Sequence, residues 1–120
     1  MIVGIGTDII EVKRVKTACE REAFLTRYFT SKEISFLKEN YQSIASNFAV
    51  KESVAKAFGT GFRGFEMIEI EVLRDELGAP YVCLYGNALE KANSLQIDKI
   101  HVSISNIAMY ATAYVVCERL

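Results

Sequence analysis

Residues 43–58, SIASNFAVKESVAKAF, decide how this chain is built. On a helical wheel Ile44, Phe48, Ala55 and Phe58 make one apolar stripe. Ala45 and Ala49 widen it, and Val50, Val54 and Ala57 cover much of the rest. Nine of the fifteen residues from Ile44 to Phe58 are apolar, and a helix that is apolar nearly all round is buried on several sides. The stretch therefore predicts a central helix, with Gly59 standing where a helix C-terminal glycine belongs. Lys51, Glu52 and Lys56 interrupt this surface, with Glu52 between Phe48 and Ala45 on the wheel. A buried charge is costly unless it is paired or holds a metal. Two readings stand for Glu52 and Lys56. Four apart in the favoured order, they can form a helix ion pair worth about 0.2–0.5 kcal/mol, or they can line a site.

Upstream, residues 2–10 (IVGIGTDII) are apolar and β-branched and predict a buried strand. Helices are expected over 11–22 and 31–39, the second with Ser31 as N-cap. Downstream, residues 67–74 and 80–85 predict two strands joined at Gly78, Ala79 and Pro80. A short helix follows over 86–95. The Val-, Ile-, Thr- and Tyr-rich segments 99–105 and 108–117 predict a closing hairpin. This mixed order implies a single α+β domain over residues 1–120, with a mainly antiparallel sheet.

Three further segments are candidates for chemistry. Gly4, Gly6 and Asp8 share one face of the first strand, and the glycines permit close approach of a ligand or another backbone. Asp8 can equally cap the helix that follows. Gly59-Thr60-Gly61 can turn backbone N–H groups toward an anion, or serve only as a helix stop. His101, Ser103 and Ser105 alternate onto one strand face, which either lines a cleft or is solvated. His101, the only histidine, has no visible triad partner, and no nucleophile-elbow motif exists.

Composition narrows the classes. A net charge of −1 supplies no field for nucleic acid, although residues 11–32 carry six basic side chains and could meet an acidic partner. Cys19, Cys83 and Cys117 are odd in number and far apart, so reduced thiols in a cytoplasm are expected rather than a disulfide framework or a metal site. No apolar run approaches the roughly 20 residues that span a membrane, and no signal peptide is expected.

Taken together, residues 4–15 (GIGTDIIEVKRV), 48–61 (FAVKESVAKAFGTG) and 101–105 (HVSIS) resemble the short, single-domain phosphopantetheinyl transferases, the holo-acyl-carrier-protein synthases. The resemblance runs through the closing hairpin, and the middle block is its most diagnostic part. It implies a magnesium-dependent enzyme that moves phosphopantetheine from coenzyme A to a serine of apo acyl carrier protein, releasing 3′,5′-ADP, for fatty acid biosynthesis. It implies that Asp8 and Glu52 bind Mg²⁺, that Glu52 assists deprotonation of the serine, and that Lys56 holds the pyrophosphate and stabilises the departing phosphate. By the same resemblance Gly59, Thr60, Gly61, Pro80, Ser105 and Asn106 lie along coenzyme A, and Arg14 and Arg21 meet the carrier protein. A homotrimer with active sites between subunits is also implied.

Two positions depart from the family pattern. Asn106 follows HVSIS where relatives usually have histidine, and Asn47 precedes Phe48 where they often have arginine. Both replacements remove charge, and they imply a weaker grip on the 3′-phosphate, with less discrimination against dephospho-coenzyme A. The competing readings are a non-catalytic carrier-protein or coenzyme A binding module, and a small nucleotide-binding regulator using the Gly59–Gly61 turn. The Asp8, Glu52 and Lys56 set favours the enzyme, because a binder has little need of all three.

Overall fold

The computed structural model describes residues 1–120 and is organised around one helix. Strand β1 (Ile2–Glu11) runs into helix α1 (Val12–Ala18). Short helices α2 (Phe24–Tyr28) and α3 (Ser31–Leu37) then lead to α4 (Tyr41–Ala57). A hairpin of β2 (Ile70–Arg74) and β3 (Pro80–Leu84), helix α5 (Gly86–Ser94) and a second hairpin of β4 (Lys99–Asn106) and β5 (Tyr110–Glu118) complete the chain. The main sheet has the order β1-β5-β4 and is antiparallel throughout. The expected α+β class, antiparallel sheet and long central helix are all present.

Helix α4 forms as its apolar surface requires. Asn40 caps it by accepting from the Ser43 N–H at 3.1 Å, and Gly59 ends it at a φ of +83°, a conformation that costs glycine little. Eleven of its residues are buried, and they feed two cores. Val50, Val54 and Phe58 pack with Ile70, Val72 and Val115, while Ile44 and Ala45 pack with Val12, Val15, Phe29 and Leu37.

The sheet lies on α4 with one face. Ala111, Ala113, Val115 and Cys117 of β5 point inward and are buried. In β1 the inward face is Gly4 and Gly6, and there the strand backbone touches the helix backbone. A Cβ at Gly4 would fall on the Ala57 carbonyl, and one at Gly6 on the Ser53 carbonyl. Overpacking of this kind costs about 1–3 kcal/mol. Gly6→Ala is therefore expected to lower stability by that amount in a urea melt and to reduce activity with it, since Asp8 follows two residues later. The opposite face, with Ile5 and Ile9 each 64% and Tyr114 60% exposed, is open.

Several boundaries differ from expectation. Helix α1 stops at Ala18, and the separate helix α2, not foreseen, follows. Phe24 turns inward there, edge-on to Tyr28 at 5.4 Å and stacked with Phe48 at 6.4 Å between ring centroids. The N-cap of α3 is Thr30 rather than Ser31: its Oγ1 accepts from Glu33 N–H, and Glu33 Oε1 accepts from Thr30 N–H at 3.1 Å. Residues Met67–Glu69 form a single 3-10 turn before β2 instead of its first residues.

Lys51 is fully buried, and its position has a specific explanation. Its Nζ donates to Glu33 Oε1 at 2.7 Å and to the carbonyls of Met67 and Ile70. The other Glu33 oxygen accepts from Asn47 Nδ2 at 2.9 Å and from Val72 N–H at 3.3 Å. Asn47 Oδ1 in turn accepts from Arg74 Nη2 at 2.8 Å. No buried side-chain nitrogen or oxygen is left without a partner. This network ties α3, α4 and β2 together.

Candidate active site

The glycine contact between β1 and α4 brings Asp8, near the end of the strand, over the last turns of the helix. Lys56 Nζ donates to Thr7 O at 2.8 Å and to Asp8 Oδ1 at 3.2 Å. Glu52, one helical turn before Lys56, completes the group. Of the two readings for Glu52 and Lys56, the intrahelical pair is not the one realised, because Lys56 crosses to β1. Asp8 is not a helix cap either: Glu11 is the N-cap residue of α1 and makes no side-chain cap bond.

The electrostatics of the site act on Glu52. Burial raises the Glu52 carboxyl above its ordinary value of 4.5, and the nearby Asp8 charge raises it further, with Lys56 opposing. A carboxyl whose folded-state value is raised stabilises the fold fully below the ordinary range, and that stability is lost as pH rises through the folded value. In metal-free buffer, Glu52→Gln is therefore expected to be more stable than the parent at pH 7. It should also lose less stability between pH 4.5 and 7, as read from denaturant midpoints at each pH.

These three side chains sit in a cleft of about 530 Å³, whose wall also includes Ile10, Arg14, Val15, Ala18, Phe24 and Phe48. One side is charged and the other apolar. A second depression, lined by Thr7, Asp8, Ile9, Lys56, Thr112 and Tyr114, adjoins it on the open face of β1 and β5. No group of three or more His, Cys, Asp or Glu side chains is placed to hold a metal. A cation here would have only the Asp8 and Glu52 carboxylates from the protein. That donor set fits Mg²⁺, which is held by one or two carboxylates together with substrate phosphates, and not a closed structural site.

The remaining candidates other than Arg14 fall outside this cleft. Gly59, Thr60 and Gly61 follow α4 directly, with Gly61 at a φ of +63° and Thr60 Oγ1 donating to Gly61 O at 3.1 Å. Pro80 opens β3 opposite Arg74. Ser105 lies on the open face of the sheet with His101 and Ser103. Asn106 donates to Ser46 Oγ at 3.0 Å, toward the other end of α4 from Lys56. Arg14 lines the cleft, whereas Arg21 is exposed beyond α1. Asn47 is wholly buried against Glu33 and Arg74, so of the two departures from the family pattern only Asn106 is exposed. His101 does have an acidic partner, Glu118 Oε1 at 2.9 Å; this bond holds the Glu118 carboxyl below its ordinary value.

Sequence reasoning missed the apolar wall from Phe24. No helical periodicity marks its five-residue element, and only the aromatic cluster formed in three dimensions reveals it. It also missed the Glu33 network, although the Thr30-x-x-Glu33 pattern is a capping signature visible in the sequence.

Known proteins match this chain along nearly its whole length. A model of the 4′-phosphopantetheinyl transferase superfamily matches residues 4–115. The holo-[acyl-carrier-protein] synthase of Lachnoclostridium phytofermentans is 55% identical over 118 residues, covering 98% of this chain and 97% of that protein. The synthase of Clostridium tetani is 48% identical over 122 residues, covering 98% and 97%. Among solved structures, the synthase of Neisseria meningitidis superposes with a TM-score of 0.89 at 36% identity, covering 99% of this chain and 100% of that one. The Helicobacter pylori synthase in complex with coenzyme A superposes with a TM-score of 0.87 at 32% identity, covering 95% and 99%.

Proposed function

This chain belongs to the 4′-phosphopantetheinyl transferase superfamily, among its holo-[acyl-carrier-protein] synthases, and from that premise we propose that the Asp8–Glu52–Lys56 cleft moves phosphopantetheine from coenzyme A to a serine of apo acyl carrier protein. The observation that carries the reading is the convergence of two carboxylates and one ammonium from β1 and α4 in one cleft. The relatives' names and the coenzyme A complex of one of them supply the substrates.

Asp8 and Glu52 would hold Mg²⁺. The ion supplies neutralisation of the diphosphate charge when bound. Glu52 Oε accepts the serine proton, a task that a positioned carboxylate performs. The serine oxygen forms a bond to the β-phosphorus as the bond to the leaving 3′,5′-ADP oxygen breaks. Lys56 Nζ, half-exposed at the cleft rim, turns to the departing phosphate and offsets its charge. Such transfer needs mainly positioning and charge stabilisation, so three side chains suffice. Arg14 and the apolar wall around Phe24 offer an acidic, amphipathic carrier protein a charged and an apolar contact at once. Arg21 extends the basic surface.

The Gly59–Gly61 loop, Pro80, Ser105 and Asn106 are assigned to coenzyme A through a neighbouring copy. The open sheet face carries Ile5, Ile9 and Tyr114 beside Ser105, and an apolar face of this kind suits burial in an oligomer. A homotrimer would place these segments at shared sites. The three free thiols suit a cytoplasmic setting, and fatty acid biosynthesis is the pathway that the carrier protein implies.

The decisive assay is intact-mass spectrometry of an apo acyl carrier protein incubated with this protein, coenzyme A and Mg²⁺, beside an EDTA control. A gain of one phosphopantetheine that EDTA abolishes is expected. A folded sample that modifies no carrier protein would overturn the assignment.

A further inference from the structure

Lys56 does more in the ligand-free chain than await a phosphate. Its ammonium lies 3.2 Å from Asp8 Oδ1 and is tethered a second time by the Thr7 carbonyl at 2.8 Å. It therefore already pairs with the carboxylate that a cation would need. Asp8 is only 18% exposed, so little of its carboxylate is free for another partner. A site with two carboxylates, one already neutralised by an internal ammonium, is a poor receptor for a bare divalent ion.

From this contact we propose that Lys56 is an internal competitor of the divalent cation. It holds Asp8 in the donor-free enzyme and releases it only when a diphosphate draws the ammonium away. Cation and diphosphate donor then enter as one coupled event, because the group that the donor attracts is the group that blocks the ion. The coupling is reciprocal: whatever the donor adds to cation affinity, the cation adds to donor affinity. The competition is of moderate strength, since Lys56 is 52% exposed and an exposed ion pair is weak. Yet a unit positive charge a few ångströms from a divalent ion still repels it appreciably. The inference rests on the assignment of Asp8 and Glu52 as the cation-binding pair.

The test uses Mn²⁺ as the probe and no donor, with free Mn²⁺ followed by its electron paramagnetic resonance signal. Parent, Lys56→Met, Lys56→Arg and Asp8→Asn proteins are titrated at low ionic strength, each first shown to be folded by circular dichroism. Lys56→Met is expected to bind Mn²⁺ about two- to fivefold more tightly than the parent, by the size of such screened pairs. Lys56→Arg, which keeps the charge, should stay within about twofold of the parent on the same grounds. Tightening in Lys56→Met should shrink as salt is raised. If the parent binds Mn²⁺ in an Asp8-dependent manner but Lys56→Met binds equally or less tightly, the competitor role is overturned and the cation assignment stands. If Asp8→Asn binds as well as the parent, the cation assignment itself falls, and the competitor role with it.

Discussion

Glu52→Gln is expected to slow phosphopantetheine transfer by about 10²–10⁴-fold, the range typical for loss of a positioned general base. The variant should nevertheless melt at the same temperature as the parent or higher. Asp8→Asn should show a comparable loss of turnover. The argument combines two observations. Glu52 is half-buried beside a second carboxylate, an arrangement that raises its proton affinity and opposes folding at neutral pH. Such a residue contributes nothing to the fold that would explain its presence in an otherwise apolar helix, which is the ground for expecting it in the reaction. Single-turnover rates on an apo carrier protein, paired with thermal melts of the same samples, measure both halves. Turnover within about tenfold of the parent in either variant would remove these carboxylates from the chemistry.

The largest expected effect on stability comes from the other side of the same helix. Glu33→Ala should destabilise the protein by about 3–5 kcal/mol, because it leaves the Lys51 ammonium in the core without its counter-charge. It also removes the acceptor for Asn47 and for the N–H groups of Thr30 and Val72. For a domain of this size the melting temperature should fall by about 10–20 °C. The double variant Glu33→Leu with Lys51→Met should regain part of the loss, since well-packed apolar residues often replace a buried pair without cost. Because the pair lies outside the cleft, protein that remains folded at low temperature should keep a turnover number near that of the parent. A loss below about 1 kcal/mol in Glu33→Ala would show that the pair is not the tie described.

Helix α4 and strand β1 were legible in the sequence because each is a continuous apolar run with clear ends. Asp8, Glu52 and Lys56 were legible as a set through the family resemblance, but their pairing was not. Spacing along the helix points Lys56 at Glu52, whereas the closest acid is Asp8, 48 positions away in sequence. That contact exists only because two glycines let strand and helix meet. Lys51 was illegible for the same reason: Glu33 and the carbonyls of Met67 and Ile70 come from other elements. The burial of Asn47 was illegible too, because a polar residue beside Phe48 looks available until Glu33 and Arg74 are seen to enclose it. Helix α2 is held by aromatic contacts rather than periodicity, so nothing local announces it. The shift of the α3 cap from Ser31 to Thr30, by contrast, was readable from Glu33 three residues on.

The seam between β1 and α4 contains main-chain atoms alone at Gly4 and Gly6. No rotamer there can change, and no methyl group can be gained or lost without moving a whole strand. The spacing between Asp8 and the helix carrying Glu52 and Lys56 is thus insulated from drift elsewhere in the interior. Valines and phenylalanines of the two cores can be exchanged for others of similar bulk, in nature or in a designed library, while the distance between the reacting groups is preserved by backbone contact.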